Sequence, residues 1–347
     1  MAFFIMKKPI AIIFNDVHLK SGNEDAVLSS IRHMIEVANE KKIKRFIFAG
    51  DLFDSRSFQR LKVLNTFDTI LSETSVAGIE MDYIPGNHDK SIYSSYDSFL
   101  DVYYHYPNFT LHRDISDIII DGINITLLPF FPDDMLIPKI KEHGGSDILI
   151  SHFEMQGSSH LGKISEKVTI NEKLLSKWKK TYLGHYHNTH EITKNIVHLP
   201  SLLQANFGED GHKGFSVLYD DLSYEIIRGQ FREFIKIQID LDSIISSELK
   251  ELIRTYENSS NTIRFEFTGS ESKLKALNRA QFKDTGIDVK LKYDKKYEYN
   301  DSDIEIPTTK ERYDKSDISK IFKDFCEDKG YPYKEGQELL NEFLKHK

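Results

Sequence analysis

Five short stretches of this chain combine side chains that hold divalent cations. They are Asp16-Val17-His18, Gly50-Asp51-Leu52-Phe53-Asp54, Gly86-Asn87-His88-Asp89, Ser151-His152 and Gly184-His185-Tyr186-His187. Carboxylate, amide and imidazole donors without a thiolate suit Mn²⁺, Fe²⁺ or Zn²⁺, and there are enough of them for two ions. In an extended segment alternate residues share a face, so Asp16 and His18 are expected to reach one ion together, as are His185 and His187. Asp51 is expected to bridge, because two cations about 3.5–4 Å apart repel unless an anion lies between them. The glycines at 50, 86 and 184 are expected to allow sharp turns and to leave room beside the ions. A lone Asp-x-His is ordinarily incidental. Five such stretches, each where an apolar run ends, are not.

The elements that must position these residues follow from hydrophobic periodicity. Apolar runs at 10–14, 45–49, 79–84, 123–128, 148–151, 181–183, 196–199 and 215–220 read as strands. The first is near-continuously apolar, as a strand covered on both faces must be. Between the early runs, 25–39 places Val27, Leu28, Ile31, Met34, Ile35 and Ala38 at helical spacing, and 61–71 continues the alternation. Alternating strands and amphipathic helices imply parallel strands with crossover helices, hence an α/β domain. Such sheets place their sites in the loops at one end of the strands, so residues remote in sequence converge there.

At 347 residues the chain is long enough for about two domains. The expected division is a body over 1–229, a small β-α-β-α-β cap over 230–296, a polar linker over 297–315 and a helical tail over 316–347. In the tail, Ile318, Ile321, Phe322 and Phe325 form one apolar stripe, and Leu339, Leu340, Phe343 and Leu344 another. Lys plus Arg total 46 against 54 Asp plus Glu, a net charge of −8, which excludes a polybasic nucleic-acid binder and makes any contact with polyanions local or shared with a partner. A single cysteine, Cys326, excludes an internal disulfide and a Cys-x-x-Cys zinc or redox pair. No apolar run approaches the roughly 20 residues of a membrane span, and the lysines at 7 and 8 follow the apolar start rather than precede it, so a cytoplasmic location is expected. Gly157 to Ile164 nearly matches a phosphate-binding P-loop, but Ile164 stands where a Ser or Thr would hold Mg²⁺; ATP binding is not expected there.

The five motifs together resemble the calcineurin-like metallophosphoesterase superfamily. The closer likeness is to the nuclease subunit of SbcCD-type double-strand-break repair complexes, in its tailed-phage recombination form. It is carried by Leu199-Pro200-Ser201-Leu202 through Phe207-Gly208-Glu209 and by Lys213-Gly214-Phe215, after the last histidine motif. The resemblance implies a four-layer α/β/β/α sandwich with a small α+β cap. It implies that Asp16, His18, Asp51 and His187 hold one metal and that Asp51, Asn87, His152 and His185 hold the other, with manganese as the ion. His88 is then the histidine that binds no metal and serves as general acid, and Asp54 is expected to orient it through its carboxylate. A hydroxide bridging the metals would attack phosphorus in line. The substrate implied is DNA, cut from duplex ends and within single strands. The partners implied are a coiled-coil SMC-like ATPase gripped by the C-terminal helices and a second copy of the chain, in the host cytoplasm if the chain is phage-encoded. A stand-alone phosphatase or cyclic-nucleotide phosphodiesterase would share the metal set but needs neither cap nor tail. A non-catalytic scaffold on the same fold would have lost ligands, and none is missing.

Overall fold

The computed structural model describes residues 7–160, 163–164, 168–292 and 322–323. The chain divides into two units, Met1–Tyr293 and Asp294–Lys347. Of the second only the helical pair Phe322 and Lys323 is described, so the linker and helical tail expected from the sequence otherwise lie outside the described residues.

Two six-stranded sheets form the body of the first unit. One has the order Tyr224–Arg228, Gly214–Tyr219, Pro9–Phe14, Arg45–Ala49, Glu80–Ile84, Phe109–Leu111, its last four strands parallel. The other has the order His190–Thr193, Ile196–His198, Lys180–Gly184, Ile148–His152, Ile123–Leu128, Ser116–Ile120, its middle four parallel. Strands apolar on both faces have two surfaces to bury. Ile13, Ile47 and Ala49 meet Ile125, Leu127, Ile148 and Ile150 between the sheets. Ile12, Phe14, Phe46 and Phe48 face outward, in one cluster with Val27, Ile31 and Met34 of helix Glu24–Lys41 and Phe67 and Ile70 of helix Leu61–Val76. Leu128, Leu149 and Leu183 meet Leu136 and Ile140 of helix Asp133–Glu142 outside the second sheet. Each such aromatic or aliphatic side chain contributes about 1.5–3 kcal/mol on full burial, and the layer order that results is α/β/β/α.

A third sheet is built from Phe234–Asp240, Thr262–Thr268 and Ile287–Leu291, all parallel. Helices Ser246–Tyr256 and Glu271–Ala276 connect its strands and cover one face around Ile253, Ile263, Phe265 and Phe267. Polar pairs mark the other residues of its strands: Gln238 and Lys292 both reach Glu266, and Arg264 pairs with Asp288 at 2.6 Å. That departs from the two-sided apolar cover of most parallel sheets. This sheet is tied to the body where the Phe234 N–H donates to Gln204 Oε1 at 2.9 Å.

The P-loop-like stretch takes another form: Ser159–His160 pairs antiparallel with Lys163–Ile164, a ribbon rather than a loop opening a helix. No helix of the described residues is long and apolar enough to cross a membrane.

Candidate metal centre

All five motifs leave the carboxyl ends of parallel strands. Asp16 follows Pro9–Phe14, Asp51 follows Arg45–Ala49, Asn87 follows Glu80–Ile84, His152 ends Ile148–His152, and His185 follows Lys180–Gly184. The first two loops stay zipped beyond their strands: the Asp16 and Val17 amides donate to the Gly50 and Asp51 carbonyls at 2.9 Å, and Leu19 to Leu52 at 2.7 Å.

The local backbone corrects two expectations. His185 and His187 do not share a cluster: His185 Nδ1 lies 3.1 Å from Asn87 Oδ1 and His187 Nε2 lies 3.1 Å from His18 Nε2. Asp16 and His18 converge from left-handed conformations, with φ of 49° and 45°, rather than from an extended segment. Asp51 at 61° and His185 at 94° share that region. Each such non-glycine residue costs about 1–2 kcal/mol, and a strained backbone held by its surroundings is a mark of functional loops. Here the surroundings are the interloop hydrogen bonds. The glycines leave room as expected at all three positions, since a Cβ on Gly184 would lie 2.8 Å from His152 Nδ1. A Cβ on Gly50 would lie 2.6 Å from His152 Cγ, and one on Gly86 would collide with the Asp51 carboxylate.

The donor atoms form two clusters joined by Asp51. Nε2 of His18 lies 3.1 Å from Nε2 of His187, and each is 3.8 Å from Asp16 Oδ1. Nε2 of His152 lies 3.2 Å from both Asp51 Oδ2 and Asn87 Oδ1, and Asn87 Oδ1 is 3.1 Å from His185 Nδ1. Asp51 Oδ2 is also 3.7 Å from His18 Nε2. Separations of 3–4 Å are those of atoms sharing an ion at about 2.0–2.2 Å. The hydrogen bonds test the fit independently. His152 Nδ1 donates to the Ala49 carbonyl at 2.8 Å, which turns Nε2 toward the Asp51 and Asn87 oxygens, where a proton or a cation must lie between them. His187 Nδ1 donates to Glu209 Oε1 at 2.7 Å, which turns Nε2 toward His18 Nε2 and Asp16 Oδ1. Asp16 Oδ1 is buried without a hydrogen-bond partner. Acceptors crowded in a buried site need positive charge between them, and these nitrogen and oxygen donors fit a pair of metal ions as its source.

The ionisation pattern says the same. Burial alone would raise the Asp16 and Asp51 pKa values and lower that of His152. Instead, attraction dominates: Asp16 lies well below the usual carboxylate range, Asp51 falls to about 2, and His152 rises to about 9. His18 is raised, against burial, by the same carboxylates. Burial and the charge on His152 push His185 down to about 4, so it offers a neutral lone pair. Protons on His18 and His152 thus supply the positive charge that cations would bring.

Of the two residues expected to act beside the metals, His88 sits at the rim with its ring edge-on to His18, centroids 4.8 Å apart. Its partnership with Asp54 differs from the expected one. His88 Nδ1 meets the Asp54 backbone carbonyl at 2.7 Å, while the Asp54 carboxylate pairs with Lys20 at 2.9 Å. The reason is local. Leu19 and Phe53 form a bridge, and the Asp54 amide donates to the Leu19 carbonyl, which turns the Asp54 side chain toward Lys20. The Lys90 side chain, on the loop after His88, is fully buried, with Nζ donating to the Phe130 carbonyl at 2.7 Å.

Two residues given no role from the sequence hold the centre together. Asp89 accepts the amides of Asp51, Leu52, Phe53 and Gly86 at 2.9–3.1 Å, binding the Asp51 loop to the Asn87 loop. The signal was its place in the Gly-Asn-His-Asp motif. Glu209 holds His187 from a segment with no periodicity to read.

A curated relative, exonuclease subunit 1 of Enterobacteria phage T4, is 25% identical over 195 residues, which is 54% of this chain and 56% of that protein. The chain therefore spans little more than half the length of that relative. Among solved structures, a dimetal phosphatase from Danio rerio is 10% identical, over 61% of this chain and 93% of that one, with a TM-score of 0.42. A Pseudomonas putida nuclease is 13% identical over 52% and 62% of the two chains, with a TM-score of 0.28. The family model for calcineurin-like phosphoesterases matches residues 11–210, a span of more than half the chain that holds every donor of the two clusters. The chain belongs to the calcineurin-like phosphoesterase family.

Proposed function

We propose that the chain is a two-metal DNA phosphodiesterase, the nuclease subunit of an SbcCD-like recombination and repair complex. The observation that carries this reading is the third sheet, seated beside the centre. Asp16, His18, Lys20 and Asn23 on the body, and Arg232, Phe234 and Thr262 on the cap side, line one cavity of about 260 Å³. A small phosphomonoester needs no such second wall, whereas a polynucleotide running past the scissile phosphate does. Arg232 supplies local positive charge there, and Lys20 adds to it where a phosphate displaces Asp54 from it; a chain of net charge −8 needs such charge for phosphate contacts. Exposed Phe58, Ile92, Tyr93 and Tyr96 add apolar and aromatic surface on the loops bordering the centre, suited to stacking against bases. The similarity to a phage exonuclease subunit supports the same reading.

Asp16, His18, Asp51 and His187 would hold one cation and Asp51, Asn87, His152 and His185 the other, most simply Mn²⁺. When bound, the cations would neutralise charge on the phosphodiester and lower the pKa of a water at the site. The chain's own part is positional and acid–base. The Asp54 carbonyl takes the His88 Nδ1 hydrogen, so as an acid His88 must be the imidazolium, and the second hydrogen, on Nε2, is the one it can give to the substrate. As the P–O bond breaks, its electron pair goes to the departing oxygen and the His88 Nε2 hydrogen follows it. Cutting of duplex ends and of single strands, homodimerisation, action in the cytoplasm and capture of a coiled-coil ATPase by residues 316–344 complete the proposal.

The test is cleavage of linear duplex DNA, a phosphomonoester and a cyclic nucleotide, each with Mn²⁺ and then with EDTA. Metal-dependent loss of duplex DNA supports the nuclease; turnover of only the small esters supports a stand-alone phosphatase or cyclic-nucleotide phosphodiesterase. Removing residues after 311 should abolish ATPase capture and leave small-diester cleavage intact.

A further inference from the structure

We propose that Glu209 is a positioning residue for the metal ligand His187, and that Gln204 ties this pair to the cap, so that cap seating and cation binding at His187 are one linked equilibrium. The inference rests on His187 being a ligand and goes beyond the nuclease reading to how the site is kept competent.

His187 has two ring nitrogens with separate tasks. Nε2 lies with His18 Nε2 and Asp16 Oδ1. Nδ1 lies 2.7 Å from Glu209 Oε1, and a carboxylate accepts, so Nδ1 carries the hydrogen and Nε2 the lone pair. A carboxylate behind a ligating histidine fixes both its tautomer and its ring orientation. Glu209 is itself fixed. Its Oε2 accepts the Ala205 amide at 3.0 Å and its Oε1 the Asn206 side-chain amide at 2.9 Å. Lys213, buried 3.5 Å away, balances its charge and donates to the His187 carbonyl and to Asn188 Oδ1. A buried ion pair is a poor way to gain stability alone. This one closes on a single histidine, touching both its ring and its backbone.

The same segment reaches the cap. Gln204 Nε2 donates to the Glu209 carbonyl at 3.1 Å and to the Phe234 carbonyl at 3.3 Å, while its Oε1 accepts the Phe234 amide at 2.9 Å. One side-chain amide thus takes both backbone groups of the first residue of the cap strand. The Phe207 ring packs on Phe234 with centroids 5.0 Å apart, and the Arg264 guanidinium lies 3.9 Å over it. Moving the cap therefore strains the loop that carries Glu209. By linkage, a cation that fixes His187 must also hold the cap.

The test is Mn²⁺ titration calorimetry on the full chain and on Glu209→Gln, with amide exchange measured over the segment containing Phe234, with and without Mn²⁺. The native chain should bind two ions, and Mn²⁺ should slow exchange at Phe234. Glu209→Gln should weaken one ion by about 10- to 100-fold, leave the other in place and abolish the slowing. Gln204→Ala, which leaves Glu209 intact, should abolish the slowing too; it carries the test should the first variant not fold. Unchanged affinity for both ions, equal weakening of both, or exchange at Phe234 indifferent to Mn²⁺ would overturn the inference. A native chain that binds no Mn²⁺ would overturn the metal reading and this inference with it.

Discussion

Cation binding should release protons, and the structure says from where. In the metal-free chain His152 is held at about 9 by Asp51 and Asp16, against burial, whereas the same histidine in an unfolded chain titrates near 6.5. The folded pKa is the higher one, so the stability this proton contributes is fully present below about pH 6.5. It is lost as pH rises through about 9. A cation at the Asn87, His152 and His185 cluster must displace that proton. Apparent affinity there should then rise about tenfold per pH unit between 7 and 8, with one proton released per ion. His185, at about 4, has no proton to lose. His18 is raised by the carboxylates at the other cluster, so it adds to this release and the total at pH 7 should be about one proton per chain or more. Calorimetric titration with Mn²⁺ in buffers of different ionisation enthalpy measures this number directly. His152→Asn should lower it by about one. Proton release near zero, or affinity flat from pH 7 to 8, would refute the reasoning.

Further predictions concern the backbone and the acid. Gly50→Ala places a Cβ at φ 93° against the His152 ring; left-handed strain of about 1–2 kcal/mol and overpacking of about 1–3 kcal/mol should lower stability by about 2–5 kcal/mol in urea titrations. His88→Ala should keep both cations by calorimetry and lose about 10²- to 10⁴-fold in turnover. Asp54→Ala removes a part-exposed pair with Lys20, an interaction of about 0–1 kcal/mol, and a 4.0 Å approach to His18 Nδ1, and keeps the carbonyl that holds His88. Its turnover should stay within about tenfold and its pH–rate profile should not move; a displaced acid limb would restore the carboxylate to the role first expected of it.

The parallel strands and their terminal loops were legible because their residues serve one purpose. Arg45–Ala49 is apolar on both faces and bounded by a glycine, so its start, its end and the ligand after it can all be read. The flanking strands were not. Ser116–Ile120 lies at a sheet edge with Ile119 exposed, and Phe109–Leu111 is only three residues long. Helix Asp133–Glu142 carries Pro138, which argues against a helix from sequence, yet Leu136 and Ile140 pack one turn apart against the second sheet. At the centre, the converging donor residues could be named in advance, but their backbone could not. Whether Asp16 and His18 converge from extended or left-handed backbone depends on carbonyls of the neighbouring loop. The Asp54 misreading has the same origin, since carbonyl and carboxylate belong to one residue and only the loop's path decides which meets His88. Glu209 lies far along the chain from His187 in an irregular segment, where no period or spacing reports a contact.

The central claim is that Asp51 joins two cations, and manganese-edge anomalous diffraction from crystals grown with Mn²⁺ tests it most directly. Two peaks should flank the Asp51 carboxylate, one within bonding distance of Asp16, His18 and His187, the other of Asn87, His152 and His185. A single peak remote from Asp51, or none with these side chains turned apart, would contradict it.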